Sequence, residues 1–277
     1  MWLKTKSCGF GQSPSFAKVF AKLFACSVLI AVGACTTTGA GKTTGSNALQ
    51  AQQPEMTGAQ QTLFRAGEEA ENEHKYDVAA NAYGRLFERR NNDPKILTAF
   101  IRTMRYSNRS REIIDYVDSK TQHLFGDPNV KFEYAKALIA AGHKTEATSV
   151  LREVSQLLPG NWQVVSAMGI AFDSMGAFPQ AIASYKEALR LSPNNVVVMN
   201  NMAMSQAMMG QLSLAISTLE GAATINRSNT HVRQNLALLY AVRGDVDKAR
   251  ALAAMDLNAG DLETNLSFYR RFEGAAQ

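Results

Sequence analysis

The stretch WQVVSAMGIAFDSMGAFPQAIASYKEALRLSPNN, residues 162–195, carries its apolar side chains in two runs of helical period separated by a glycine. That pattern predicts two amphipathic helices joined by a tight turn. Phe172, Phe178, Tyr185 and Leu189 supply the apolar seam, while Gly169 and Ala181 stand where two helix backbones must approach closely. Gly176 suits the turn, because a residue without a Cβ adopts positive φ at no steric cost. Pro193 ends the second helix, since it lacks an N–H for the hydrogen-bond ladder.

Stepping outward by 34 residues keeps the same pattern in phase. The units are 60–93, 94–127, 128–161, 162–195, 196–229 and 230–263, with no insertion between them. The twentieth residues are Ala79, Ile113, Ala147, Ala181, Ala215 and Ala249. The fifteenth are His74, Asn108, Gly142, Gly176, Gly210 and Gly244. The order of small, aromatic, glycine, alanine and proline positions resembles the tetratricopeptide repeat, a 34-residue helix–turn–helix unit. The resemblance implies an all-α, right-handed superhelical solenoid of about six such units plus a C-terminal capping helix. One unit cannot bury its own apolar faces, so neighbours must cover them.

Two units depart from the pattern. Unit 94–127 has Ile101 and Ile113 at positions that want small residues. In unit 230–263, Asp256 stands where a small apolar residue is expected, so the second helix is expected to stop near it. A last helix is then expected after Gly260-Asp261, with Asp261 as its N-cap and Leu262, Leu266 and Tyr269 on its apolar side. Residues 257–277 form the expected capping helix and tail.

The chain before the repeats reads as an address. Residues 1–34 contain four lysines and no acid, and then a twelve-residue apolar run that ends at Ala34. A helix of that length spans roughly 18 Å, too short for a bilayer core, but it fits a signal-peptide h-region. Val32-Gly33-Ala34-Cys35 resembles the bacterial lipobox, which implies a lipidated Cys35 as the new N-terminus. Thr36 after it, rather than Asp, implies an outer-membrane lipoprotein facing the periplasm of a Gram-negative cell. Cleavage as an ordinary secreted protein is the alternative that these residues leave open. Residues 35–59 are poor in large apolar side chains and read as a flexible tether.

Charge changes the picture little. The chain carries +5 overall, but without residues 1–34 the balance falls to +1. So small an excess gives no nucleic-acid reading. Gly39-Ala40-Gly41-Lys42-Thr43 lacks the first glycine of a phosphate-binding loop, because Thr36 stands there, and it has neither strand nor helix context. No nucleotide, metal or other cofactor is expected. The histidines 74, 123, 143 and 231 have no ligand spacing, Glu68, Glu69 and Glu71 read as surface charge, and no catalytic constellation appears. The expected protein is not an enzyme.

What remains is a surface. In such repeats the first helices line the concave face, which here nominates Phe132, Lys136 and Ile139, then Gln163, Ser166 and Ile170, then Asn200, Asn201, Met204 and Met208, then Gln234, Asn235 and Leu238 as a partner-binding groove. Met199, Met202 and Met209 are expected on the packed side. The paired Lys and Arg side chains that clamp C-terminal carboxylates in chaperone-binding members are not apparent on this face.

The C-terminal stretch carries a narrower likeness. Asn235-Leu-Ala-Leu-Leu-Tyr240, Arg243-Gly-Asp245, Asp256-Leu257 and Asn265-Leu-Ser-Phe-Tyr-Arg270 resemble TadD-type lipoproteins of the tight-adherence (Flp) pilus system. The proline usual after Asp-Leu in that family is replaced by Asn258-Ala259. The resemblance implies a membrane-anchored scaffold whose partners are proteins of the pilus secretion machine, the secretin among the candidates. The alternatives are a pilotin-like or envelope-assembly lipoprotein of another system, and an adaptor for cell-wall hydrolases.

Overall fold

The structure, a computed structural model, describes residues 55–269. The signal sequence, Cys35, most of the tether and Arg270 lie outside the described residues. Thirteen α-helices make up the described chain, with no strand among them. They are α1 (Gly58–Asn72), α2 (Tyr76–Arg89), α3 (Pro94–Tyr106), α4 (Ser110–Lys120), α5 (Pro128–Ala141), α6 (Lys144–Leu157), α7 (Trp162–Ser174), α8 (Phe178–Leu191), α9 (Val196–Met208), α10 (Leu212–Ile225), α11 (Thr230–Arg243), α12 (Val246–Ala253) and α13 (Ala259–Tyr269). From α3 onward each first helix begins 34 residues after the last, at 94, 128, 162, 196 and 230; the second helices begin at 76, 110, 144, 178, 212 and 246. The chain is an all-helical solenoid of the tetratricopeptide type.

Three recurring devices produce this register. The last residue of each unit caps the next first helix. Asp93, Asp127, Asn161, Asn195 and Asn229 each accept a bond from a backbone N–H two or three residues on. Such a cap stabilises a helix by about 1 kcal/mol. At the turn inside each unit, all six fifteenth residues have positive φ, from 59° at His74 to 95° at Gly244. Four are glycines; His74 and Asn108 belong to the side chains that tolerate this conformation best. The third device is close packing. A Cβ on Gly169 would lie 2.5 Å from the Tyr185 ring, and one on Gly67 would lie 2.7 Å from the Tyr83 ring. Both rings are fully buried, and burying an aromatic of this kind stabilises the fold by roughly 1.5–3 kcal/mol.

Unit 94–127 is built differently. Ile101 and Ile113 are both fully buried, and their bulk holds α3 and α4 apart. Helix α3 packs instead directly against α5, more closely than any other two consecutive first helices approach. Helix α4 ends at Lys120, and a single 3-10 turn, Gln122–Leu124, leads to the Asp127 cap.

The two ends need corrections. Helix α1 starts inside the expected tether, because Thr57 and Gln60 form a reciprocal capping box. At the other end α12 stops at Ala253, in keeping with the break at Asp256. The cap of α13 is Asn258, however, not Asp261: its Oδ1 accepts from the N–H groups of Gly260 and Asp261. Leu266 is buried and Leu262 packs beside it, so α13 covers the end of the stack.

Candidate functional site

Consecutive first helices, α3, α5, α7, α9 and α11, touch one another along the array, and no consecutive second helices approach as closely. The first helices therefore form the inner layer and present the inner face. Along it Gln163 and Gln234 are exposed, while Ile170, Asn200, Asn201, Met204, Met208, Asn235 and Leu238 are half-buried. The Asn235 amide donates to Asn200 Oδ1 at 2.8 Å, so these two asparagines tie α11 to α9. Asn201 uses its carbonyl to hold the Ser205 hydroxyl at 3.1 Å.

Several nominated residues stand deeper than expected. Ile139 and Ser166 are only 6% and 5% exposed. Ile139 belongs to the core cluster of the N-terminal units rather than to an open surface. Met204 and Met208 lean against the core of the C-terminal units instead of projecting freely. Met209, expected on the packed side, is 40% exposed, whereas Met199 and Met202 do pack against buried clusters. Phe132 and Lys136 are also buried, yet they edge an open pocket of about 330 Å³ between α3, α5 and α7. Lys95, Thr98, Arg102, Glu133 and Gln163 share its lining.

This pocket is the most strongly charged part of the inner face. Arg102 donates to Glu71 through two bonds of 2.6 and 2.9 Å, and the Tyr83 hydroxyl donates to the same carboxylate at 3.2 Å. Glu71 is therefore not surface charge: its side chain is 18% exposed, and it joins α1 to α3. The hydrogen bond to Glu71 also raises the Arg102 guanidinium above its ordinary value. Next to it, Lys136 Nζ donates to Glu133 Oε1 at 2.5 Å and lies 4.4 Å over the Phe132 ring. Arg105, whose side chain is 3% exposed, faces the other Glu133 oxygen at 3.6 Å, beyond hydrogen-bonding reach. Burial lowers the Lys136 pKa, with the Glu133 charge opposing and Arg105 adding to the shift. Cations therefore do cluster on the inner face. They come together from α3 and α5, which the unusual packing of unit 94–127 brings side by side.

The arrangement around Glu71 recurs once in the regular part. Asp173 occupies the same place in its unit. It accepts from the Tyr185 hydroxyl of its own hairpin at 2.7 Å and from Ser205 of the next unit at 2.7 Å. Burial pushes the Asp173 carboxyl up to about 6, against the two hydrogen bonds that favour its charged form. Tyr185 is itself raised well above its ordinary value by burial and then by the Asp173 charge. An acid twelve residues before a buried tyrosine was the available sequence signal. It was missed because a single helix gives no view of the neighbouring unit.

At the C-terminal end Arg233 donates to both carboxylate oxygens of Asp256, one bond being 2.9 Å long, and Thr230 joins them. Asp256, read from the sequence only as a break in the pattern, thus secures the end of the last unit to α11. The Arg233 bond holds its carboxyl below the usual range. Among the described residues no group of three His, Cys, Asp or Glu side chains is placed to hold a metal ion, and no helix is long and apolar enough to cross a membrane.

No family model and no curated protein matches the chain. Among solved structures it is similar to MamA, residues 41 to the end, from Desulfovibrio magneticus RS-1, with 15% identity and a TM-score of 0.48 over 66% of this chain and 98% of that one. Another MamA structure shares 16% identity, with a TM-score of 0.47 over 61% and 92% of the two chains. TTC0263, a thermophilic TPR protein of Thermus thermophilus, shares 20% identity, with a TM-score of 0.44 over 76% and 98%. Among the described residues the chain's own architecture is a series of helix pairs at a spacing of 34 residues with one inner layer.

Proposed function

We propose that this chain is an outer-membrane-anchored periplasmic scaffold that holds protein segments during assembly of the Flp, or tight-adherence, pilus secretion machinery. The observation that carries the interaction role is the inner layer itself. Five first helices in contact offer one continuous face of mixed polar and apolar side chains. Lipid on Cys35 would fix the solenoid to the membrane, and the resemblance of the tail to TadD-type lipoproteins supports the choice of machine. The secretin or one of its partners is the proposed ligand. Exposed Gln163 and Gln234 are the positions from which a photo-crosslinker would reach it.

Loss of the gene is expected to abolish Flp pili and to lower the yield of secretin multimers. Replacement of Cys35 by serine is expected to release the chain from the outer-membrane fraction. Normal pili and normal multimers in the deletion strain would end the pilus reading. Crosslinks to peptidoglycan hydrolases would assign the scaffold to the cell wall instead.

A further inference from the structure

The pocket between α3, α5 and α7, together with Arg105, which lies outside its lining and faces Glu133, holds an excess of positive charge. Arg102 is matched by Glu71, and Asp127, also in the lining, is engaged in capping α5. Arg105 and Lys136 are each nine-tenths buried or more, and the one carboxylate between them is that of Glu133, itself 6% exposed. Glu133 Oε1 is taken by Lys136, while Arg105 Nε and Nη2 and Glu133 Oε2 have no hydrogen-bond partner. A buried cation without a matching anion is costly, because a low-dielectric site returns little of the lost hydration. Burial and the neighbouring guanidiniums push the Lys136 ammonium toward its neutral form, as expected where positive charge is in excess. One more carboxylate would restore neutrality.

We propose that this pocket is an acidic-residue subsite: it receives the side-chain carboxylate of an aspartate or glutamate on an extended partner segment. The pocket is open and is lined from Lys95 on α3 across α5 to Gln163 on α7, which leaves room for an extended segment to lie across it. A chain terminus in the same place is the competing outcome of the test. The entering carboxylate meets Lys136, with Lys95 at the rim and the methylene groups of its own side chain against Phe132. The inference rests on the inner face being the binding face, but not on the identity of the machine.

The test uses the full-length chain in neutral detergent and a blocked peptide, acetyl-Ala-Ala-Glu-Ala-Ala-amide, titrated by NMR. Its glutamine analogue, the glutamine peptide with a free C-terminus, and inorganic phosphate are the comparison probes. The glutamate peptide is expected to bind at least tenfold more tightly than the other three. Lys136→Met is expected to remove that preference. Glu133→Gln, which withdraws the internal competitor, is expected to tighten binding by about tenfold, the scale of one charge-assisted hydrogen bond. A gain of affinity cannot come from misfolding, and circular dichroism checks the helix content of both variants. Equal binding of the glutamate and glutamine peptides overturns the proposal, as does a weaker complex with Glu133→Gln. Tighter binding of the free C-terminus or of phosphate also overturns it. Normal pili in a deletion strain would leave this result standing, and a failed titration would leave the pilus reading standing.

Discussion

Units 94–127 and 162–195 have the same length and a side-chain cap at the same place, yet they close differently. In the second, Gly169 lies under the Tyr185 ring and Ala181 is fully buried, so α7 and α8 pack as a tight hairpin. In the first, isoleucines occupy both equivalent places, the hairpin opens, and α3 leans on α5. The closed unit leaves its inner side ordinary. The open one brings Arg102 and Arg105 beside Glu133 and Lys136 and creates the charged pocket. Two side-chain volumes thus decide where the inner face acquires its chemistry.

The sharpest way to break this contrast is to empty the open unit. Ile101→Ala removes a fully buried side chain where the helices are held apart, so the cavity has no ready means of closing. A loss of roughly 3–4 kcal/mol is expected in urea unfolding. Hydrogen exchange should show α3 and α4 weakened before α7 and α8. Loss confined to the closed unit would contradict the account.

The next effect reads the bridging acid of the closed unit by pH. The Asp173 carboxyl sits near 6 in the folded protein against an ordinary 3.8, so the folded chain binds the proton more tightly than the unfolded one. Its contribution is therefore greatest below pH 4, falls as pH rises from 4 through about 6, and is level above that. The size is at most roughly 3 kcal/mol. An asparagine can keep both hydroxyl partners and does not titrate. The stability of Asp173→Asn minus that of the wild type should thus rise between pH 4 and 6.5; a flat difference would refute the burial account.

A smaller effect tests the close approach itself. Gly169→Ala places a Cβ against the Tyr185 ring and is expected to cost about 1–2 kcal/mol in thermal unfolding. The methyl gains some helix propensity, which offsets part of the clash. Adding Tyr185→Phe should not rescue it, since the ring and not the hydroxyl is in the way. The caps give the mildest comparison. Asn161→Ala should cost about 1 kcal/mol. Asp93→Ala should cost more, because the Asp93 carboxylate also faces Arg90 at 3.4 Å with both side chains nearly buried. Equal losses would mean that only the cap matters at both places.

The parts of this fold that could be read along the chain are those whose causes are local. Gly142, Gly176, Gly210 and Gly244 mark turns because the backbone there needs positive φ, and His74 and Asn108 held the phase where glycine was absent. Apolar periodicity located the helices, whereas the caps Asp93, Asp127, Asn161, Asn195 and Asn229 came to light only in the structure. The sequence nominated the groove as a set of positions, of which Gln163 and Gln234 are exposed. The groove was not legible as a surface with depth. Ile139 and Ser166 are buried, and Met204 and Met208 pack against the core of the C-terminal units, and that core is built between units. Glu71 read as surface charge, and the bridge at Asp173 went unseen, for the same reason: their partners Arg102 and Ser205 lie 31 and 32 residues away.

By itself, then, the sequence determined the repeat length, the helix pairs, their turns, and the places where the pattern fails. Each of these depends on forces acting within a few residues along the chain. Only the tertiary structure decided which acids became buried bridges, which groove residues stayed open, and where uncompensated positive charge collected. The bridges and the depth of the groove depend on contacts between neighbouring units, and the charged pocket depends on how far apart α3 and α4 stand, which the bulk of Ile101 and Ile113 sets.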